Sequence, residues 1–555
     1  MMVGLAFCGA YPLYHLGLDQ YDGTGTRRYF VFQYLPQLLA AIIVVWVLVI
    51  NATIHRTYPF IALASGQGTA NSGVLYDAKL FPTNLLIPNI SYLTRGGPWL
   101  ALWALAFWLT ILFSIPLQSC LFQTRYFADD EGWRWTTVQP VAWTLFGLYT
   151  LLLLAVGALL VRFSIGQTGL KWDPRSIADI LAIFHRSNIL NDFDHSEVEA
   201  KVSRPLKDIK LGYWRRSRHE SETFYCIGDE NTPLRRYSLE RGKMRPVGDQ
   251  HQADIEAQKP SDSTNGNFRA DIHNPALRYR WVPWFLRDTY IVAWAIISIV
   301  LFIAFLVVSF VDNAVQNGFL PEVPALTSMA GFSPADFLYS FVPAFIGMLL
   351  FLVWQPFDSY FRSLQPFASL VAPRGCSAES SLLLDYNALL PLHVTARALL
   401  AGHFRVAWIS FIGLASIVLP ILAGGVFSAR WVTSAQQVRT TASMPGYIAL
   451  TVFLAIYAFS FLTVFPTRKR YLPHDVSTLG ELVSFFYQSP LLAEDAFKEP
   501  QNKIDLVTKL LGSAFEEKNG SRFAFGIYMG QDGREHLGID RYERPGYGEM
   551  LVDFV

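Results

Sequence analysis

The residue types that carry chemistry are all present in this chain of 555 residues, but their spacing assembles no familiar site. A zinc ion is wrapped at about 2 Å by imidazoles and thiolates, so its ligands recur in closely spaced pairs. The 11 histidines include no HExxH pair, and the four cysteines no CxxC pair. His185, His195, His219 and Cys226 share one region, yet their spacings of 10, 24 and 7 residues fit no zinc pattern. The run GQGTANSG after Ser65 lacks the Gly-Lys-Ser/Thr ending of a phosphate-binding loop and follows no strand, so it reads as a flexible turn. No GxSxG elbow presents a nucleophilic serine. Asp385 in SLLLDYN reads as a helix cap or interfacial anchor rather than a catalytic acid. No catalytic, cofactor-binding or metal-ligating residue is therefore assigned. The expectation is a protein that is not an enzyme and uses no cofactor.

The elements available to position a site follow from composition. The chain is 52% hydrophobic and 15% aromatic but only 16% charged, against about 25% charged in soluble proteins. A net charge of +1 gives no field to gather nucleic acid, and acidic residues closely follow Arg215, Arg216 and Arg218. Four cysteines exclude a disulfide scaffold, although Cys8 and Cys120 fall on one side and could pair. What remains is an all-α polytopic membrane protein whose first partner is the lipid bilayer. A hydrocarbon core about 30 Å thick takes roughly 20 apolar residues rising 1.5 Å each. Seven stretches qualify: helix one Phe32 to Ile50, helix two Pro98 to Cys120, helix three Val141 to Val161, helix four Tyr290 to Val311, helix five Phe337 to Trp354, helix six Phe404 to Phe427 and helix seven Tyr447 to Phe465. Their interiors hold no Asp, Lys or Arg; Asp288, Asp312, Asp358 and Arg405 sit at or beyond the ends, where they stay wet or snorkel. Trp99, Trp103, Trp281, Trp284 and Trp294 cluster at span ends as interfacial anchors. Met1 to Leu18 is apolar but lacks a basic start and is broken by Pro12, so it reads as a partial or interfacial segment.

Basic residues set the expected orientation. Arg162, Lys171 and Arg175 follow helix three; Arg278, Arg280 and Arg287 precede helix four; Arg468, Lys469 and Arg470 follow helix seven. The loop near Asn313 to Ser333 has neither Lys nor Arg. This places the N-terminus outside or in a lumen and the middle segment and C-terminal tail in the cytoplasm, in a plasma membrane or endomembrane. Arg125, Arg134, Arg430 and Arg439 then lie outside, and the sequons at Asn51, Asn89 and Asn519 lie inside, unused.

The sequence also repeats itself. An offset of 307 pairs Phe30 with Phe337, Pro36 with Pro343, Pro59 with Pro366 and Phe60 with Phe367; an offset of 305 pairs Gly97 with Gly402, Trp103 with Trp408 and Phe122 with Phe427. Past the membrane, 302 pairs Ile177, Ile180, Leu181, Ile183 and Phe184 with Leu479, Leu482, Val483, Phe485 and Phe486, one apolar helix face in each copy. Asp173 with Pro174 caps the first of these helices, and Asp475 or Ser477 the second. Helices one to three thus correspond to five to seven. A four-helix unit has an even count, so the copies share one orientation: two parallel repeats of three and four helices. By the offset of 307 Met1 to Cys8 matches Val308 to Val315, the outer end of helix four. The chain opens inside a unit, as a shortened homologue, truncated gene product or fragment would.

Several blocks resemble a fungal multi-pass membrane family filed as domain of unknown function 3433: WVPWFLRDTY before helix four, FLYSFVP through LVWQPFDSYFRSLQPFASL, SLLLDY, GHFRVAW, and TGLKWDPRSIADILAIFHRSNIL. The resemblance covers most of the chain outside the polar middle and the last dozen residues. It implies membrane location and tandem repeats, and no activity.

The organisation expected is a first transmembrane unit (residues 1–165), an amphipathic helix with a small β element (166–245), a polar linker (246–277), a second transmembrane unit (278–467) and a second helix with β element (468–555). The β elements are hairpins in LGYWRRSRHESETFYCIGDE and RFAFGIYMGQDGREHLGIDRYER; QHQADIEAQKPSDSTNGN reads as disordered. Asn51 to Gly97 and Pro356 to His403 are expected along the cytoplasmic interface as short helices, with a re-entrant segment the alternative. Function divides two ways. A scaffold, sensor or organiser would engage a cytosolic protein through Ile177, Ile180, Leu181 and Phe184 and through Leu479, Leu482, Val483 and Phe486. The alternative is a transporter or lipid-handling protein with a site between the repeats.

Overall fold

The computed structural model describes all residues except 12–16, 24–25, 66–71, 96, 128–131, 166–167, 199–206, 216–222, 230–236, 241–242, 247–261, 312–313, 324–331, 433–436, 468–469, 517–520, 545–547 and 553–555. Seven described helices are long and apolar enough to cross a membrane: Arg27–Ser65, Gly97–Ser119, Gln139–Ile165, Asp288–Phe310, Pro334–Leu370, Phe404–Val426 and Met444–Val464. They take up the seven expected stretches, and the names helix one to helix seven are kept for them.

Helices one and five overrun their apolar runs by about four turns. The residues after Ile50 and Trp354 still bury a stripe (Ile54, Phe60 and Leu63; Phe357, Phe361 and Leu364), so packing carries each helix onward through Pro59 or through Pro356 and Pro366. The loops expected at 51–97 and 356–403 therefore begin as helix. This corrects the placing of Asp358. It lies inside helix five, buried, paired with Arg362 one turn on and accepting a hydrogen bond from Ser410 Oγ of helix six.

The short helix Met2–Ala10 packs on helix three as helix four packs on helix seven. Two hairpins absent from the sequence reading follow helices two and six. Phe122–Phe127 pairs with Gly132–Thr137, and Phe427–Val432 with Gln437–Ala442, in the same register at an offset of 305. Each gains an outer partner: the short strand Asp19–Gln20 pairs with the first through Trp135, and an isolated bridge joins Phe319 to Thr440, the counterpart of Trp135, in the second. We call this end of the bundle the hairpin side.

The opposite end, the cap side, carries the expected hairpins, Ile209–Arg215 with Thr223–Asp229 and Arg522–Met529 with Glu535–Arg541. The helices before them, Ile177–Phe184 and Leu479–Val483, open on capping boxes, Ser176 with Asp179 and Thr478 with Glu481. The caps are thus three residues beyond Asp173 and, in the second copy, three beyond Asp475 and one beyond Ser477, because only there does an acidic residue three positions on close the reciprocal bonds. Asp173 instead takes a two-pronged ion pair from Arg56 (3.0 and 2.8 Å), tying helix one to the cap. The end of the linker is helical over Asp262–His273 and docks on the second hairpin through Arg269 and His273 to Glu535; most of the linker read as disordered lies outside the described residues.

The two apolar helix faces meet each other. Phe184 and Phe486, equivalent residues, touch edge to face at 6.0 Å. Ile177, Ile180, Leu181, Phe184, Leu479, Leu482, Val483 and Phe486 are all buried, none more than 8% exposed. This corrects the expected partner surface: each stripe has found its apolar contact within the chain. On the hairpin side another equivalent pair meets, because any side chain added at Gly424 would run into Ser119. Gln33 Nε2 donates to the carbonyls of both (3.1 and 2.9 Å).

Candidate functional site

A cavity of about 1160 Å³ opens in the first copy, on the cap side. Its walls are the overrun of helix one, the first half of helix two and the segment between them. Helix one contributes Asn51, His55 and Tyr58, one face at helical spacing. Helix two contributes Trp99, Ala104, Phe107 and Trp108, and Arg162 comes from the end of helix three. Asp77, Lys79, Thr83, Asn84 and Asn89 line the connecting segment.

Hydrogen bonds fix the depth of that segment. Asn51 Oδ1 accepts from Trp103 Nε1 at 3.3 Å, and His55 Nδ1 lies 2.9 Å from Tyr92 Oη and 3.2 Å from the Lys79 carbonyl. Trp108 Nε1 donates to the Leu86 carbonyl at 3.0 Å. Trp108 lies five residues beyond Trp103, roughly 7.5 Å further along helix two. Leu86 therefore sits past the level of Asn51, alongside the apolar run of helix one. The backbone from Lys79 to Asn89 is non-helical here; Leu86, Ile87 and Ile90, the last at the start of the helix Ile90–Arg95, are exposed, and Ile87 and Ile90 also line the cavity. Pro82 and Pro88 reduce the N–H groups that need partners at this depth.

The same segment is stitched to the second copy's cap. Leu80 N donates to the Ser477 carbonyl at 2.7 Å, Lys79 pairs with Thr478, and Tyr76 packs on Gly480. Behind this seam Glu481 is half-buried beside Asp475, and burial first, then Asp475, lifts its carboxyl to about 7.

The second copy answers differently. Positions 51 and 55 correspond to Asp358 and Arg362, the buried pair, and the connecting segment is the helix Pro391–Leu400, which buries Val394 and Ala398. Short helices occur in both connecting segments, as expected: Ser72–Asp77 and Ile90–Arg95 in the first copy, and Pro391–Leu400, with Leu392 and Leu400 exposed, in the second. Asp385 anchors this last helix by an ion pair to Arg397 at 2.9 Å.

Among the described residues no group of three or more His, Cys, Asp or Glu is placed to hold a metal. Cys226 is buried in a hairpin strand, burial lowers His185 to about 4, and His219 and most of GQGTANSG lie outside the described residues. Cys8 and Cys120 are both free thiols, which corrects the pairing considered for them. Trp103 is fully buried on Asn51 rather than at the interface, whereas Trp284 is exposed as expected. Asn519 lies outside the described residues; Asn51 is enclosed in helix one.

One polar cluster had no signal in the sequence. Tyr487 Oη donates to Glu197 Oε1 (2.8 Å), which lies 2.6 Å from His536 Nδ1; His536 Nε2 lies 3.0 Å from Asp532. Burial opposes charge on this imidazole, but the two carboxylates outweigh it and raise His536 to about 9. Glu197, Tyr487 and His536 are buried while Asp532 stands at the exposed edge, and the cluster joins the two halves of the cap.

Seven apolar helices, two matched hairpins and two matched capped helices define a helical protein built by internal duplication and suited to a membrane. Residues 30–123 and 337–428 each match the family described as "Protein of unknown function (DUF3433)", two matches in tandem that fit a repeated domain. The two matches begin 307 residues apart and end 305 apart, the offsets of the repeat itself. Neither the comparison with curated proteins nor that with solved structures returned a match.

Proposed function

We propose that this is a multi-pass, non-catalytic, lipid-handling membrane protein with one amphiphile site, in the cavity of its first copy. In this reading the copies are parallel repeats of three and four helices about a pseudo-twofold axis along the membrane normal, with the cap side cytoplasmic. The axis is supported by the two contacts between equivalent residues, Ser119 with Gly424 and Phe184 with Phe486, because equivalent residues touch each other only near a twofold. The cytoplasmic cap is supported by Arg162, Lys171 and Arg175 and by Arg278, Arg280 and Arg287.

The observation that carries the function is the non-helical segment beside the apolar run of helix one. Irregular backbone at membrane depth is tolerated where it lines a polar cavity or is covered by protein. This segment lines the cavity, and Ile87 and Ile90 are exposed apolar residues in that lining, so an amphiphile can enter beside them, its head among Asn51, His55 and Tyr92. The scaffold reading loses its support with the burial of its eight docking residues. The site differs from the one expected between the repeats: it belongs to one copy and touches the other only through its seam.

Native mass spectrometry of the purified full chain tests this. The wild type should retain a lipid that Ala62→Trp, filling the cavity from a half-buried position, excludes while the melting temperature holds. Equal retention by both, or none by either, overturns the reading.

A further inference from the structure

Resting on that reading of the cavity, we infer that its occupant is a lipid with a net-anionic phosphate headgroup, held by Lys79 and Arg162. Both cations line the cavity, Lys79 from the connecting segment and Arg162 from the end of helix three. Arg56, Arg362 and Arg397, on the same side of the bundle, each hold a carboxylate. Among the described residues Lys79 and Arg162 form no ion pair; Lys79 Nζ donates to Thr83 Oγ1 at 2.8 Å. Its charge is felt by Asp475 across the seam, at a distance. Asp77 also lines the cavity, so among the described residues the wall carries two cations against one carboxylate.

Such a wall selects an anion, and the donors around it suit phosphate oxygens: Asn84, Asn89 and the Tyr58 hydroxyl are all in the lining. The rim points to a lipid rather than a soluble phosphate. Ile87 and Ile90 are 59% and 63% exposed beside Trp99, an apolar lip useful to an acyl chain and costly around a water-borne ligand. Basic residues at this level also match the anionic leaflet that the proposed orientation gives them.

The full chain in detergent is titrated separately with dioctanoyl phosphatidylglycerol, dioctanoyl phosphatidylcholine and inorganic phosphate, and bound adducts are counted by native mass spectrometry. Phosphatidylglycerol should bind more than tenfold tighter than phosphatidylcholine, and phosphate negligibly. Lys79→Gln and Arg162→Gln should each weaken phosphatidylglycerol roughly fivefold and leave phosphatidylcholine unchanged. Asp77→Asn should tighten phosphatidylglycerol severalfold. Equal binding of the two lipids, with the variants silent, overturns the anionic headgroup and leaves the amphiphile site standing. Inorganic phosphate bound as tightly as phosphatidylglycerol overturns the lipid source. Failure of both lipids to bind removes the amphiphile site itself.

Discussion

At position 536 a histidine sits between two carboxylates brought from different parts of the chain, Glu197 from 339 residues earlier and Asp532 from the adjoining turn. Its folded pKa of about 9 lies above the ordinary 6.5, so the protonated ring stabilises the cap fully below pH 6.5. That contribution, about 3 kcal/mol by the size of the shift, is lost as pH rises through 9. Glu481 has the same sign in another window: raised from 4.5 to about 7, its contribution is present below 4.5 and lost through 7. Thermal melts from pH 4 to 10 should thus show cap stability falling in two steps. His536→Gln should remove the upper step and Glu481→Gln the lower. If His536→Gln leaves the fall between pH 7 and 9 intact, the ion cluster does not govern it. None of this was legible beforehand, because a single sequence shows spacing along the chain and Glu197, Tyr487 and His536 meet only through the fold. The acid three residues after Ser176 and Thr478 was legible in principle; the proline after Asp173 drew the cap too early.

At the scale of elements, the two copies diverge most where helices one and five leave their apolar runs. Asp358 and Arg362 stand one turn apart, buried, and Asn51 and His55 stand at the same spacing beside the cavity. Removing one member of a buried pair strands the other, so Asp358→Asn alone should cost about 3–5 kcal/mol, and Asp358→Asn with Arg362→His markedly less. The reciprocal exchange, Asn51→Asp with His55→Arg, should build an ion pair against the cavity wall and abolish lipid retention; retention at the wild-type level would mean these two positions do not decide which copy is open. The capping boxes give a milder test: Ser176→Ala and Thr478→Ala should each cost about 1 kcal/mol in thermal melts of the cap. Apolar periodicity and the repeat offsets made these elements readable, including both cap hairpins. The hairpins at Phe122 and Phe427 were missed because each starts within three residues of a spanning helix, and the apolar run of the helix masks the start of the strand.

For the whole molecule, one geometric consequence follows from equivalent residues meeting at both ends. If the pseudo-twofold passes near Ser119 and Gly424 on the hairpin side and near Phe184 and Phe486 on the cap side, it runs the length of the bundle, and the duplicated halves face the same way. Even the mismatched halves obey this: Met2–Ala10 covers helix three where helix four covers helix seven, so the shorter first element keeps its station. Single cysteines in a background with Cys8, Cys120, Cys226 and Cys376 changed to Ser would report the arrangement. Gly132→Cys and Gln437→Cys, at equivalent strand starts, should react with a membrane-impermeant maleimide from outside intact cells or sealed organelles. Asp208→Cys and Lys503→Cys, on the two halves of the cap, should react only after permeabilisation. Labelling of positions 132 and 437 from opposite faces would make the copies inverted in the bilayer, and with them would fall the axis, the cytoplasmic cap and the placing of the lipid site in the inner leaflet. Labelling of both from inside would keep the axis and reverse the orientation, moving the cavity to the outer leaflet, where the anionic surface that favours Lys79 and Arg162 is absent.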